Sequence, residues 1–141
     1  MTIDEMVESR TLDRVQPSPR HAARLLAEAQ RHVVAAATLV ELDAIGAYQL
    51  AYDASRKAAM AVLADRGLRP TARGGHLALV RAIEALDEPG FDRLDSMRRR
   101  RNKLEYPGPN DHGATPDDAR AAIEWAHAIC EQAAEIAAAS D

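Results

Sequence analysis

The chain has little cysteine and no long apolar run. Cys130 is its single cysteine in 141 residues, which excludes an intrachain disulfide and predicts a reducing, cytoplasmic location. No apolar stretch approaches the roughly 18 residues of a membrane span, so we expect no membrane partner. The acidic N-terminus, "MTIDEMVESRTLDR", lacks the apolar segment of a secretory signal. These absences predict a soluble cytoplasmic protein.

Aromatic residues are also scarce, at 4% of the chain. Sandwiches and barrels are rich in aromatic and β-branched residues, so the composition disfavours them, and the abundance of alanine favours closely packed helices. The net charge of −4 excludes a generally basic surface. Any contact with nucleic acid must therefore come from a local basic patch.

Start and stop signals divide the chain into helices. We read residues 1–17, which are polar and end at "QPSPR", as a flexible arm, and residues 18–141 as one helical domain. Helices are expected to begin at Ser18–Pro19, Asp43 and Thr115–Pro116, and to end at Gly67 and Pro107. The sequence thus predicts an all-α, up-and-down bundle of four main helices plus a short one over residues 76–86.

The stretch "SMRRRRNKLEYPGP", residues 96–109, contains most of the basic patch. At about 100° per residue, Arg101 falls within the apolar stripe of its helix, with Arg98 and Glu105 at the edges of that stripe. Arg99, Arg100 and Lys103 point elsewhere and are expected to be solvated. A guanidinium within an apolar stripe needs a partner, so Arg101 either pairs with an acid such as Glu105 or binds a phosphate.

The motif "RNKLEY", with Arg101, Asn102 and Tyr106, resembles the signature of the HEPN superfamily of helical proteins. That signature is an arginine, a polar residue, three variable residues and a histidine. "AYQLAYDASRKAAMAVLADRGLRP" resembles the family's second helix and "TPDDARAAIEWAHAICEQA" its last. The resemblance covers roughly residues 18–139.

The resemblance implies a homodimer in which two signature helices face each other across a cleft, within a toxin–antitoxin or defence system. Arg98, Arg101, Asn102 and Tyr106 are then the residues expected to bind RNA or a nucleotide phosphate. In active members the arginine and histidine cut RNA without a metal, which would place Arg101 and Tyr106 at the catalytic positions.

Tyr106 departs from the signature because it stands at the histidine position. A phenol with an ordinary pKa near 10 is a poor base at neutral pH, so ribonuclease activity does not follow, and a non-catalytic variant is favoured. Tyr106 is left to stack on a base, contact a phosphate or accept a modification. The alternative function is a non-catalytic interaction module that partners a nucleotidyltransferase or another defence protein.

No cofactor or metal is expected. Glu124 and His127 have the Glu-x-x-His spacing of di-iron bundles, but the chain contains no second copy of that motif. His112, in the loop after the Arg run, is a candidate replacement base that we read as exposed.

Overall fold

A computed structural model of the chain describes residues 1–139, which are mostly helical. The elements in order are α1 (Ile3–Glu8), β1 (Leu12–Arg14), α2 (Pro19–Leu39), α3 (Ala44–Asp65), β2 (Leu68–Pro70), α4 (Gly75–Leu86), α5 (Leu94–Glu105) and α6 (Pro116–Ala139). The five helices expected from the sequence are α2 to α6, so the all-α class is confirmed. Within residues 1–139 no helix is both long and apolar enough to cross a membrane.

Helix α3 lies at the centre and packs against α2, α4, α5 and α6. Its buried residues surround most of its circumference and are mainly alanines, whose small side chains let neighbouring helices approach closely. The buried Ser55 hydroxyl donates to the Ala51 carbonyl at 3.0 Å and contacts the Met97 sulfur of α5 at 3.7 Å. This central helix brings α4 and α5 to neighbouring positions.

The residues that were expected to cap helices do so in the structure. Ser18 and Asp43 accept hydrogen bonds from the backbone N–H groups of His21 and Gly46. Thr115 and Asp118 cap α6 reciprocally, each side chain accepting from the other's backbone N–H at 3.1 and 3.0 Å. Each pair satisfies backbone donors that the first turn of a helix leaves free.

The prediction that residues 1–17 form a flexible arm is wrong. It forms α1 and then β1, which pairs antiparallel with β2 in the register Leu12 with Pro70. Met6 and Leu12 are 1% and 0% exposed, within the main core. The polar composition of residues 1–17 does not indicate that Met6 and Leu12 are buried, because the strand that pairs with β1 lies far away in sequence.

Candidate anion-binding site

Helix α5 packs through its apolar stripe and carries its arginines around the edge of that stripe. Met97 is fully buried and Leu104 nearly so. The Arg101 side chain is 25% exposed and the Arg98 side chain 17%. Both guanidiniums therefore lie on the half-buried side of α5, as the helical angles predict.

The two arginines differ in how firmly they are paired. Arg98 donates to Asp95 from Nε at 3.0 Å and lies 2.9 Å from it through Nη2. Arg101 lies 3.6 Å from Glu105, and within the described chain its guanidinium has no hydrogen-bond partner. Glu105 also lies 3.4 Å from Gln49 of α3. The pair anticipated between Arg101 and Glu105 is present, but it leaves the donors of Arg101 unused.

The other two residues of the expected site are exposed. Asn102 lies on the outer side of α5, and Tyr106, at the C-terminal cap of that helix, is 79% exposed. Arg101, Arg98 and Asn102 span an arc of about 100° around the helix. The structure thus places two predicted residues in a half-buried cluster and two on the adjoining surface.

A tyrosine–histidine pair lies beside this cluster. Tyr52 of α3 is 0% exposed, and its hydroxyl is 3.0 Å from Nδ1 of His76 at the start of α4. Burial raises the pKa of Tyr52 to about 12, so the hydroxyl stays protonated. A buried hydroxyl proton needs an acceptor, so we assign Tyr52 as the donor to Nδ1. The proton of a neutral His76 then lies on Nε2.

The charges of three arginines act on this pair. Burial lowers the pKa of His76, and the positive charges of Arg56 and Arg101 lower it further, with a smaller effect from Arg98. Asp53 is the acid that opposes them. His76 is therefore neutral at pH 7. The arginines that act on it belong to α3 and α5, and each lies near its own carboxylate, Asp53, Asp95 or Glu105.

Arg56 has a donor without a hydrogen bond. Its Nε is buried and lacks a hydrogen-bond partner, since the Asp53 carboxylate is 3.7 Å away. Its Nη1 contacts the Met60 sulfur at 3.3 Å. A buried guanidinium N–H left in this state is costly unless an acceptor is supplied.

The turn before α4 sets the position of His76. Thr71 accepts from the Gly74 N–H at 3.2 Å and donates to the Arg10 carbonyl at 2.7 Å. A Cβ on Gly74 would lie 2.4 Å from the Thr11 carbonyl oxygen, and Gly75 has φ of +57°. The "RGG" segment, residues 73–75, is therefore held against the N-terminal segment and begins α4.

Arg100 was predicted to be solvated, but it is paired with other parts of the chain. Its Nη2 donates to the Gly113 carbonyl at 2.7 Å and lies 3.2 Å from Asp118, the capping residue of α6. These contacts fix the loop after α5 and border a groove of about 450 Å³ whose lining includes Lys103 and His112. The Arg100 guanidinium at the edge of this groove is thus already paired with Asp118.

Sequence reasoning missed His76, Arg56 and Tyr52. Arg56 follows Tyr52 by one helical turn, but His76 lies in another helix and carries no motif. Tertiary packing alone brings it to α5.

His127, which has the Glu-x-x-His spacing with Glu124, lies 3.4 Å from Glu131 of the same helix. Across residues 1–139 no three His, Cys, Asp or Glu side chains are grouped closely enough to hold a metal ion.

No family model, curated protein or solved structure matches this chain. The likeness to HEPN proteins therefore depends on the motifs quoted above.

Proposed function

We propose that the chain is a HEPN-type helical protein that binds the phosphates of RNA or of a nucleotide at α5, in a cleft shared with a second copy. The observation that carries this proposal is the unused donor capacity on the half-buried side of α5 and the adjoining α3: the buried Nε of Arg56 has no hydrogen-bond partner, and Arg101 has only a 3.6 Å ion pair. Guanidiniums in a partly desolvated site bind phosphate through charge-assisted, often bidentate, hydrogen bonds.

The exposed residues suit the proposed shared cleft. Asn102 and Tyr106 continue the surface from Arg98 to the outer side of α5, where an amide can contact a sugar and a phenol can stack on a base. Ile45 at 39% and Tyr106 at 79% are large side chains in exposed positions. A second copy could cover such side chains, and a toxin–antitoxin or defence role in the cytoplasm belongs to the same proposal.

Ribonuclease activity is not part of this proposal. Tyr106 is exposed, and a phenol is a poor general base at neutral pH. Binding without cleavage is therefore the expected activity.

Titration calorimetry at low salt tests the proposal with AMP and a short oligoribonucleotide. Arg101→Ala should weaken binding by about 10- to 100-fold, as expected for a charged hydrogen bond. Arg81→Ala is the matched control, since Arg81 is exposed on α4 and pairs with Glu84 in its own helix at 3.0 Å. Equal affinities for wild type and Arg101→Ala would reject the proposal, and light scattering of the same samples tests the dimer.

A non-catalytic interaction module is the second candidate, favoured by the ion pair between Arg101 and Glu105. In that case Arg101 serves the fold, and its partner is a nucleotidyltransferase or another defence protein. Arg101→Ala would then lower stability while neither RNA nor nucleotide binds to wild type.

A further inference from the structure

We propose that a groove between the end of α4 and the start of α5 docks a basic, amphipathic segment of a partner protein, with an arginine or lysine side chain seated in it. The groove has a volume of about 290 Å³, and we call it the α4–α5 groove. This inference goes beyond the proposed function and does not depend on phosphate binding at α5.

The floor of the α4–α5 groove is apolar. Its apolar lining residues are Val80, Ile83, Phe91 and Leu94. Each of them is no more than 6% exposed and belongs to the main core, so the floor is fixed by packing. An apolar floor suits the methylene stem of a lysine or arginine, which packs on apolar surface while its charge stays at the rim.

The rim of the groove is acidic. The remaining lining residues are Glu84, Asp87, Glu88, Asp92 and Asp95, and no basic residue is among them. Carboxylates above an apolar floor attract a cation and repel an anion. The charge of the groove is therefore complementary to a basic partner.

Two of the five carboxylates are unpaired. Arginines that do not line the groove form ion pairs with Glu84, Glu88 and Asp95. In the part of the chain that the structure describes, the side chains of Asp87 and Asp92 have no hydrogen bond or ion pair. A docked guanidinium or ammonium group finds its acceptors in these two carboxylates, through charge-assisted hydrogen bonds.

The loop that forms one wall of the groove is held against α6. Arg93 is the one base in the loop between α4 and α5, and its guanidinium carbon lies 4.6 Å from the centre of the Trp125 ring. This cation–π contact engages Arg93 outside the groove. Gly90 packs closely on Gln132, since a Cβ at residue 90 would lie 2.9 Å from its Cγ. The groove is thus preformed, and Arg93 leaves its acids free.

An exposed leucine beside the groove favours a protein segment over a small cation. Leu77 is 43% exposed and precedes Glu84 by two turns on the same face of α4. An amphipathic segment covers Leu77 with an apolar side chain while its basic residue enters the groove. A small organic cation fills the groove alone and leaves Leu77 in water.

NMR of the full, isotopically labelled chain at low salt tests this inference with three probes. The first probe is a short amphipathic peptide with leucine on one face and arginine on the other. The second is the same peptide with glutamate in place of arginine. The third is spermidine, a small cation without apolar side chains.

Matched variants separate the charges of the groove from its apolar neighbour. Asp87→Asn and Asp92→Asn, made together, remove the two free charges with little change in shape. Asparagine tolerates the left-handed conformation at residue 87, where φ is +53°, so this variant is expected to fold. Glu8→Gln with Glu124→Gln is the control, since it removes two exposed charges that do not line the groove. Leu77→Ala tests the apolar contact.

The arginine peptide should cause saturable shifts in the signals of the groove residues, whereas the glutamate peptide should not. The double asparagine variant should lose at least about tenfold in affinity for the arginine peptide, and the control should stay within about twofold of wild type. Leu77→Ala should weaken peptide binding by about threefold and leave spermidine binding unaffected.

Other results would overturn the inference. If millimolar arginine peptide gives no saturable shift in the groove, or if the two peptides bind equally, the groove does not dock a basic segment. Undiminished affinity in the double asparagine variant would remove the two free carboxylates from the interaction. Spermidine that binds as tightly as the peptide, with no effect of Leu77→Ala, would assign the groove to small cations and reject the protein partner.

Discussion

Replacing Leu12 by alanine should strongly destabilise the protein, although Leu12 lies in a segment that reads as a polar arm. Leu12 is 0% exposed in the main core, and its strand holds β2. Truncating a fully buried leucine costs about 2–5 kcal/mol, because the transfer free energy is lost and a cavity remains. With an m-value of about 1–3 kcal/mol/M, the urea midpoint should fall by about 1–2 M.

Leu42→Ala is the matched control, since it makes the same chemical change at a side chain that is 85% exposed. Its free energy of unfolding should stay within about 0.5 kcal/mol of wild type. Urea unfolding followed by circular dichroism measures both variants. A loss below about 0.5 kcal/mol for Leu12→Ala would show that residues 1–17 are not part of the core.

Three further predictions concern pH, a cap and a glycine. Burial and Lys57 lower the pKa of His32 from 6.5, and burial and Arg56 lower the pKa of His76 from the same value. The unfolded chain then binds more protons than the folded chain, so the free energy of unfolding should fall as the pH drops through about 6.5. A free energy of unfolding that stays constant from about pH 7.5 to 5.5 would contradict this. Replacing Thr115 by alanine removes a 3.1 Å capping hydrogen bond and should lower the free energy of unfolding by about 0.5–2 kcal/mol, measured by thermal unfolding. An unchanged free energy would show that Thr115 does not cap α6. Gly74→Ala would place a Cβ 2.4 Å from a backbone oxygen and should lower the free energy of unfolding by about 1–3 kcal/mol, measured with urea. An unchanged free energy would show that the turn adapts without strain.

The helices were predictable because their signals are local. Ser18, Asp43 and Thr115 cap the helices that they were expected to begin. Each of these signals acts within one turn, so that the sequence alone reveals it. The β1–β2 pairing was not predictable, because its two three-residue strands have partners only in three dimensions.

The candidate site was predictable only along α5. Helical angles placed Arg101 and Arg98 on the half-buried side, where they lie. The same angles placed Arg100 in solvent. That prediction is wrong because Arg100 is bound by the Gly113 carbonyl and by Asp118, which lie outside α5. His76 was missed for the same reason, since only packing around α3 brings it to the arginines.

The most direct test of the central claim is a titration of ¹⁵N-labelled protein with AMP, followed by NMR. Phosphate binding at α5 predicts saturable shifts in the guanidinium signals of Arg56 and Arg101 and in the His76 ring. Shifts confined to the groove beside Lys103 and His112, or no saturable shift at millimolar AMP, would contradict the account.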